Sequence, residues 1–175
     1  MWLDTSHRID YGNRWIFRRS GTWQKTTNHL YRSVMDESFT INVGEYPGDG
    51  VLDPRWQDTS YIDRKGNTRI SRADVRVRGS EVEPVGGTSL HDVPRWYSAP
   101  DFWIPEGTEY SEADIHIHRD DDLRTSPYNR KLSGYHYQLE PKFKMPVLAF
   151  KGALNNMARA AVVRQIALAG SKAKA

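Results

Sequence analysis

The 175-residue sequence contains no cysteine, which excludes disulfides, thiolate zinc sites and a cysteine nucleophile. It also lacks any long apolar run. The opening "MWLDTSHRIDYGNRWIFRR" has no stretch like the hydrophobic centre of a secretory signal, and no window approaches the length of a membrane span. No membrane partner is expected, and export, if it occurs, needs a dedicated machine. Several short catalytic signatures are missing too. There is no HExxH, no helical carboxylate pair, no Gly-rich phosphate loop and no GxSxG nucleophile elbow, so zinc-protease, P-loop and α/β-hydrolase readings have no motif to rest on. Internal repeats are absent, and the short end "GSKAKA" is the only biased tract.

What is present is aromatic and unevenly charged. Hydrophobic residues make up 38% and aromatics 11%, with six Trp and nine Tyr, against a mean hydropathy of -0.73. Rings must therefore supply much of the buried area of a single domain. The net charge is +3, but residues 1–32 carry six basic against two acidic groups, residues 33–140 twelve against twenty, and residues 141–175 seven against none. Basic ends beside an acidic body can contact RNA, DNA, other phosphates or an acidic partner; they can also be simply solvated.

Along the chain, residues 1–27 read as a basic and aromatic extension and residues 28–175 as the domain proper. "HLYRSVMD", "ISRADVRVRGSEVEP", "FWIPEGT", "DIHIHR" and "GYHYQLEP" each read as strands, and "VGGTSLHD" as a tight turn into another. The section from Val43 to Arg69 is rich in Gly, Pro and Asp and reads as turns with at most a short helix. "SPYNR" reads as a turn into a short helix or extended segment. From Val147 to about Ala169 the apolar residues recur at helical spacing, and Gly170 is a natural stop. These elements predict a small α+β domain, a mostly antiparallel sheet with flanking helices.

Three groups of residues carry chemistry. On a strand, Asp114, His116 and His118 share one face about 7 Å apart, and Asp120, Asp121 and Asp122 follow. Such a face can ligate a metal and serve a nuclease, or it can be a wet sheet face with an acidic loop. His136, between Tyr135 and Tyr137, points to the face opposite theirs, where an imidazole can make one hydrogen bond to a flat ligand or serve only the sheet. Gln165 falls on the apolar arc of the helix, where an amide must find partners in a ligand, a loop or the backbone. Arg164 lies at the border of that arc. Arg32 and Arg72, each on an expected strand, can pair with a dinucleotide's phosphates or with the many Asp residues of the middle section. Ser89, without a nucleophile elbow around it, has little support as a hydrolase nucleophile.

In order, "HLYRSV", "SRADV", "GGTS", "WIPEGT", "SPYNRKL", "YHYQLEP" and "ARAAVVRQ" resemble the type VI secretion exported effector-two toxins, a Tse-two-like family of ADP-ribosyltransferase type. The resemblance runs from about Asn28 to about Leu168. It implies a fold similar to the catalytic domain of NAD-dependent ADP-ribosylating toxins, with NAD as substrate, no metal, action in the target cell's cytoplasm, an unidentified macromolecular acceptor and an immunity protein as partner. The site it implies comprises Ser89 and His136 as catalytic residues. Arg32, Arg72, Thr88 and Gln165 would bind the cofactor. The sequence departs from the usual pattern in one respect: no "ExE" motif to supply a carboxylate to the ribosyl cation stands in the usual place, and Glu140 stands at the end of its strand before Pro141.

Overall fold

The computed structural model describes residues 8–10, 15–17, 23–94, 99–120 and 134–172. Its strands in chain order begin with β1 (Arg8–Asp10), β2 (Trp15–Phe17), β3 (Trp23–Lys25), β4 (Leu30–Ser33), β5 (Thr59–Ile62), β6 (Thr68–Ser71) and β7 (Val75–Arg78). They continue with β8 (Glu81–Gly86), β9 (Thr88–His91), β10 (Asp101–Ile104), β11 (Glu109–Ser111), β12 (Ile115–Asp120), β13 (His136–Pro141) and β14 (Met145–Pro146), before the helix α1 (Val147–Lys172). The described residues thus form an α+β domain of antiparallel sheets and one helix.

The central sheet has five strands in the order β10-β4-β9-β13-β12. Directly opposed residues of an antiparallel pair share a face, so the register sorts the side chains. One face presents Leu30, Leu90, Phe102, Ile104, Ile115 and Leu139, each no more than 2% exposed. These residues form one core with Phe150, Leu154, Met157, Ala158 and Ala161 of α1, the i, i+4, i+7 stripe that made the helix legible. On the opposite face one cross-strand row runs through all five strands. Trp103 opposes Tyr31, Tyr31 opposes His91, His91 opposes His136, and His136 opposes Asp120.

A second sheet, β14-β8-β7, is joined to the first at Gly86-Gly87. Gly86 has φ +73°, a conformation that disfavours any side chain. A Cβ on Gly86 would strike the Asp74 carbonyl, and one on Gly87 the Leu139 carbonyl. The glycine pair therefore lets β8 hand over to β9 while two other backbones press against it.

Several expectations need correction. The Gly/Pro/Asp-rich section contains no helix but a hairpin, β5 with β6; Asp63 organises its turn by accepting hydrogen bonds from the Lys65 and Asn67 amides, each 2.9 Å long. The helix does not stop at Gly170 but runs to Lys172. By contrast, the turn into a strand expected at "VGGTSLHD" is present, since β9 begins at Thr88. Inside the segment read as an extension, β3 pairs with β11 and Thr26 is buried. "SPYNR" and the pair Asp121 and Asp122 lie outside the described residues.

Candidate active site

Ser89 and His136 lie on adjacent central strands. Ser89 opposes Gln138, and His136 opposes His91, so Ser89 is the diagonal neighbour of His136 on one face, within side-chain reach. Ser89 Oγ lies 2.6 Å from His136 Nε2. On the other side of the ring, Nδ1 is 3.6 Å from Asp120 Oδ2, beyond hydrogen-bond length, and this buried Nδ1 has no hydrogen-bond partner. A carboxylate there still favours the tautomer protonated on Nδ1. Nε2 is then the acceptor and the Ser89 hydroxyl the donor.

His136 is 6% exposed and His91 is 4% exposed, and their ring centroids are 5.2 Å apart. Burial lowers the pKa of His136, with Asp120 opposing the shift. His91 is pushed down to about 3, by burial first and then by His136 and Arg32. Both rings are therefore neutral near pH 7. A neutral imidazole holding a hydroxyl by its acceptor nitrogen can take a proton from, or align, a group brought to Ser89.

Arg32 is brought to the same place by a different route. β4 and β9 share a single bridge, Tyr31 with His91, and beyond it Arg32 on the core face reaches into the splay. Its guanidinium donates to the carbonyls of Ser89 and Asp53, each at 3.1 Å. Thr88 is fully buried and its hydroxyl donates to the Leu52 carbonyl at 2.5 Å. Both residues tie the loop at 52–53 to the strand that carries Ser89.

Gln165 is buried, and its amide is used at both ends. Oε1 accepts from the Gly44 amide at 2.6 Å and Nε2 donates to the Trp103 carbonyl at 2.5 Å. It joins α1, a loop and β10. Arg164, at the border of that face, donates to the Glu106 carbonyl. Arg72 stands apart, just after β6, with its side chain 78% exposed and paired with Asp58 at 2.8 Å. No hydrogen bond or ion pair described for Arg72 connects it to Ser89 or His136.

The Asp114, His116 and His118 group is not assembled as a triad. Asp114 lies in the turn before β12 and accepts from Ser111 Oγ at 2.6 Å. His116 and His118 are stacked, 6.1 Å apart, and face Glu140 at 3.5 and 3.4 Å. Among the described residues no three His, Cys, Asp or Glu side chains gather as a metal site.

Two residues of the centre escaped the sequence reading, Asp120 and His91. Asp120 entered it only as a metal ligand. The alternation His116, His118, Asp120 places it on the right face, but only the register of β12 on β13 puts it beside His136. His91 had the signal that it lies two residues beyond Ser89 on the same strand face.

Two clefts flank the sheet. One, of about 430 Å³, is lined in part by Tyr31, Val43, Asp101 and Trp103; the other, of about 370 Å³, includes Asn28, His29, Arg119, Tyr135 and Tyr137. Neither is lined by Ser89 or His136, whose pair opens to solvent through the half-buried Ser89. No helix among the described residues is long and apolar enough to cross a membrane.

Fold and centre define a small α+β domain with a serine-histidine pair set in the middle of one sheet face. The family model for the Tse2 ADP-ribosyltransferase toxin matches residues 14–166, and the chain belongs to that family. The match includes every residue of the centre and begins within the N-terminal segment that holds β3. No curated protein matches the chain. Family membership makes the domain a toxin of the ADP-ribosyltransferase type.

Proposed function

We propose that this toxin consumes NAD inside the target cell and transfers ADP-ribose to a macromolecule, with Ser89 and His136 at the reacting end. The carrying observation is the 2.6 Å contact between Ser89 Oγ and the buried, neutral His136 in a chain of this family. The C1′–N bond of NAD breaks with its electron pair moving to nicotinamide, which leaves neutral. An acceptor X–H adds to C1′, and its proton passes through the Ser89 hydroxyl to His136 Nε2. Such a dissociative step needs negative charge near the ribosyl cation. With no "ExE" motif in the usual place, Asp120 behind His136 is the carboxylate best placed to lend it.

Arg32 and Thr88 hold the strand and loop that present Ser89, and Gln165 fixes Gly44 against Trp103. In this reading their contribution to NAD binding is made through the shape of the site, while Arg72 meets a phosphate only after leaving Asp58. The acceptor is a macromolecule of the target cell, and an immunity protein restrains the toxin in the cell that makes it. An NMR titration tests the reading: NAD is expected to shift the His136 imidazole signals, and no binding at millimolar NAD would count decisively against it. Incubation with tRNA and plasmid, with and without EDTA, guards the conclusion, since chelator-sensitive cleavage would replace NAD chemistry with a nuclease.

A further inference from the structure

The antiparallel ribbon of β5 and β6 forms a two-stranded sheet of its own. Every residue of β5 is exposed, and so is every residue of β6 except the half-buried Ser71. The register puts Ile62 and Ile70 on one face and Tyr61 opposite Arg69 on the other. Ile62, Ile70 and Tyr61 are 66%, 59% and 53% exposed. A lone two-stranded ribbon is marginal in water, but this one is held at both ends. Asp63 accepts from the Lys65 and Asn67 amides at the turn. At the base, Asp58 accepts from the Arg72 guanidinium and the Ala73 amide, each at 2.8 Å, and Arg55 donates to the Arg72 carbonyl at 2.7 Å. The ribbon is therefore fixed in place with both faces open.

It also gathers the positive charge of an acidic body. Seven of the twelve basic residues between 33 and 140 fall within residues 54–78, beside only three of the twenty acidic ones. Arg64 and Lys65 at the tip are exposed, and their side chains have no hydrogen-bond or ion-pair partner among the described residues. Arg69 and Arg72 are held by Asp63 and Asp58, but pairs this exposed contribute roughly 1 kcal/mol or less and exchange readily for phosphate. A polyanion repelled by the rest of the acidic body is steered to the ribbon.

Shape selects among polyanions. The major groove of B-form DNA is about 12 Å wide and admits a two-stranded β-ribbon, enclosing both its faces. A-form RNA has a deep, narrow major groove that side chains do not read. A single strand needs a row of stacking rings, and the two strands carry one ring, Tyr61. An acidic protein surface would cover one face and leave the other in water. We propose that β5–β6 is a docking arm for duplex DNA, entering the major groove with Arg64 and Lys65 on phosphates and Ile62 and Ile70 against thymine methyl groups. The base of the arm follows Asp53, whose carbonyl shares the Arg32 guanidinium with the carbonyl of Ser89, so the arm is tied to the strand that carries the reacting pair. The docking itself does not depend on NAD turnover.

The test is fluorescence anisotropy of the full chain, without NAD, using a labelled DNA duplex, an RNA duplex of the same sequence and polyglutamate, in salt from about 50 to about 200 mM. Wild type is compared with Arg64→Glu, Lys65→Glu and with Ile62→Ser, Ile70→Ser, double variants at exposed positions whose folding is checked by circular dichroism. Wild type is expected to bind the DNA duplex at least tenfold more tightly than RNA or polyglutamate. The charge-reversed variant should bind DNA at least tenfold more weakly, with a salt slope reduced by about two, one for each lost phosphate contact. The isoleucine variant should bind more weakly with the slope unchanged. No DNA binding at the lowest salt overturns the arm, and so does binding unchanged by charge reversal, which would move the contact to the basic ends of the chain. Equal binding of the RNA duplex, or binding unaffected by the isoleucine changes, overturns groove entry. Tighter binding of polyglutamate than of DNA replaces the duplex with an acidic protein. Arg64 and Lys65 lie outside the catalytic centre, so NAD should shift His136 signals of the charge-reversed variant as in wild type, and failure of either reading leaves the other standing.

Discussion

Two pairs of histidines lie on the same face of one sheet and do different things. His116 and His118 sit on β12, an edge strand, with side chains 54% and 50% exposed, stacked on each other and turned to Glu140. His91 and His136 sit on β9 and β13, inside the sheet, 4% and 6% exposed, with Ser89 against one and Asp120 behind it. Sequence alternation is similar around both. Strand order makes the difference, because an inner strand has neighbours on both sides to desolvate a ring and supply its partners, and an edge strand has one. Burial lowers the proton affinity of the inner pair, which makes an imidazole a neutral acceptor near pH 7.

The comparison breaks most severely at Gly87. Gly87→Ala puts a methyl group into the Leu139 carbonyl and forces β13 away from the β8–β9 junction, carrying His136 off Ser89. A loss of roughly 3 kcal/mol or more is expected, read by chemical denaturation, while a surface glycine such as Gly152, with nothing near its Cβ, should accept alanine without loss.

Acid should separate the two pairs next. The folded pKa of His91 is about 3, against roughly 6.5 in an unfolded chain. Between these values the unfolded state binds more protons than the folded one, so stability is full above about pH 6.5 and falls as pH drops toward 3. The slope from one such group is about 1.4 kcal/mol per pH unit, and His136 acts in the same direction. Melts from pH 7 to pH 4 should show this decline, and a folded His91→Gln variant should flatten it.

A smaller effect is expected from Asp120→Asn, about tenfold in turnover, less than the hundredfold or more carried by a group aimed directly at the reacting atoms, since Asp120 acts from behind His136. Since Asp120 raises the proton affinity of His136, its loss should also move the acid limb of the activity profile to lower pH. A fall in rate with an unmoved profile would assign Asp120 a packing role only. Least affected should be the double change His116→Ala, His118→Ala. Exposed pairs contribute roughly 1 kcal/mol or less, so stability and toxicity should both stay near wild type, and a nontoxic double variant would return the edge strand to the active machinery.

The parts of this arrangement written locally were the parts legible in the sequence. Phe150, Leu154, Met157, Ala158 and Ala161 spell out the helix by spacing, and Tyr135, His136 and Tyr137 alternate as a strand must. Gln165 was recognisable as a buried amide because one helix face defines it, although its partners at Gly44 and Trp103 lie 121 and 62 residues away. The pairing of Ser89 with His136 spans 47 residues and depends on the register of two strands, which neither strand encodes alone. Asp120 beside His136 depends on a third. The β5–β6 hairpin was hidden because its turn, "DRKGN", is longer than a two-residue hairpin signal and both strands are largely exposed, leaving no apolar alternation to read.

The central claim is that Ser89 and His136 form the reacting end of an NAD-consuming transferase. The most direct measurement is transfer of label from adenine-labelled NAD to macromolecules of a target-cell lysate, run with wild type, Ser89→Ala and His136→Ala after circular dichroism has shown all three folded. Wild type should label acceptors and release nicotinamide, and each variant should do so at least a hundredfold more slowly, the scale of a lost general base. Labelling that persists in both variants, or a toxic wild type that leaves NAD intact, would contradict the account.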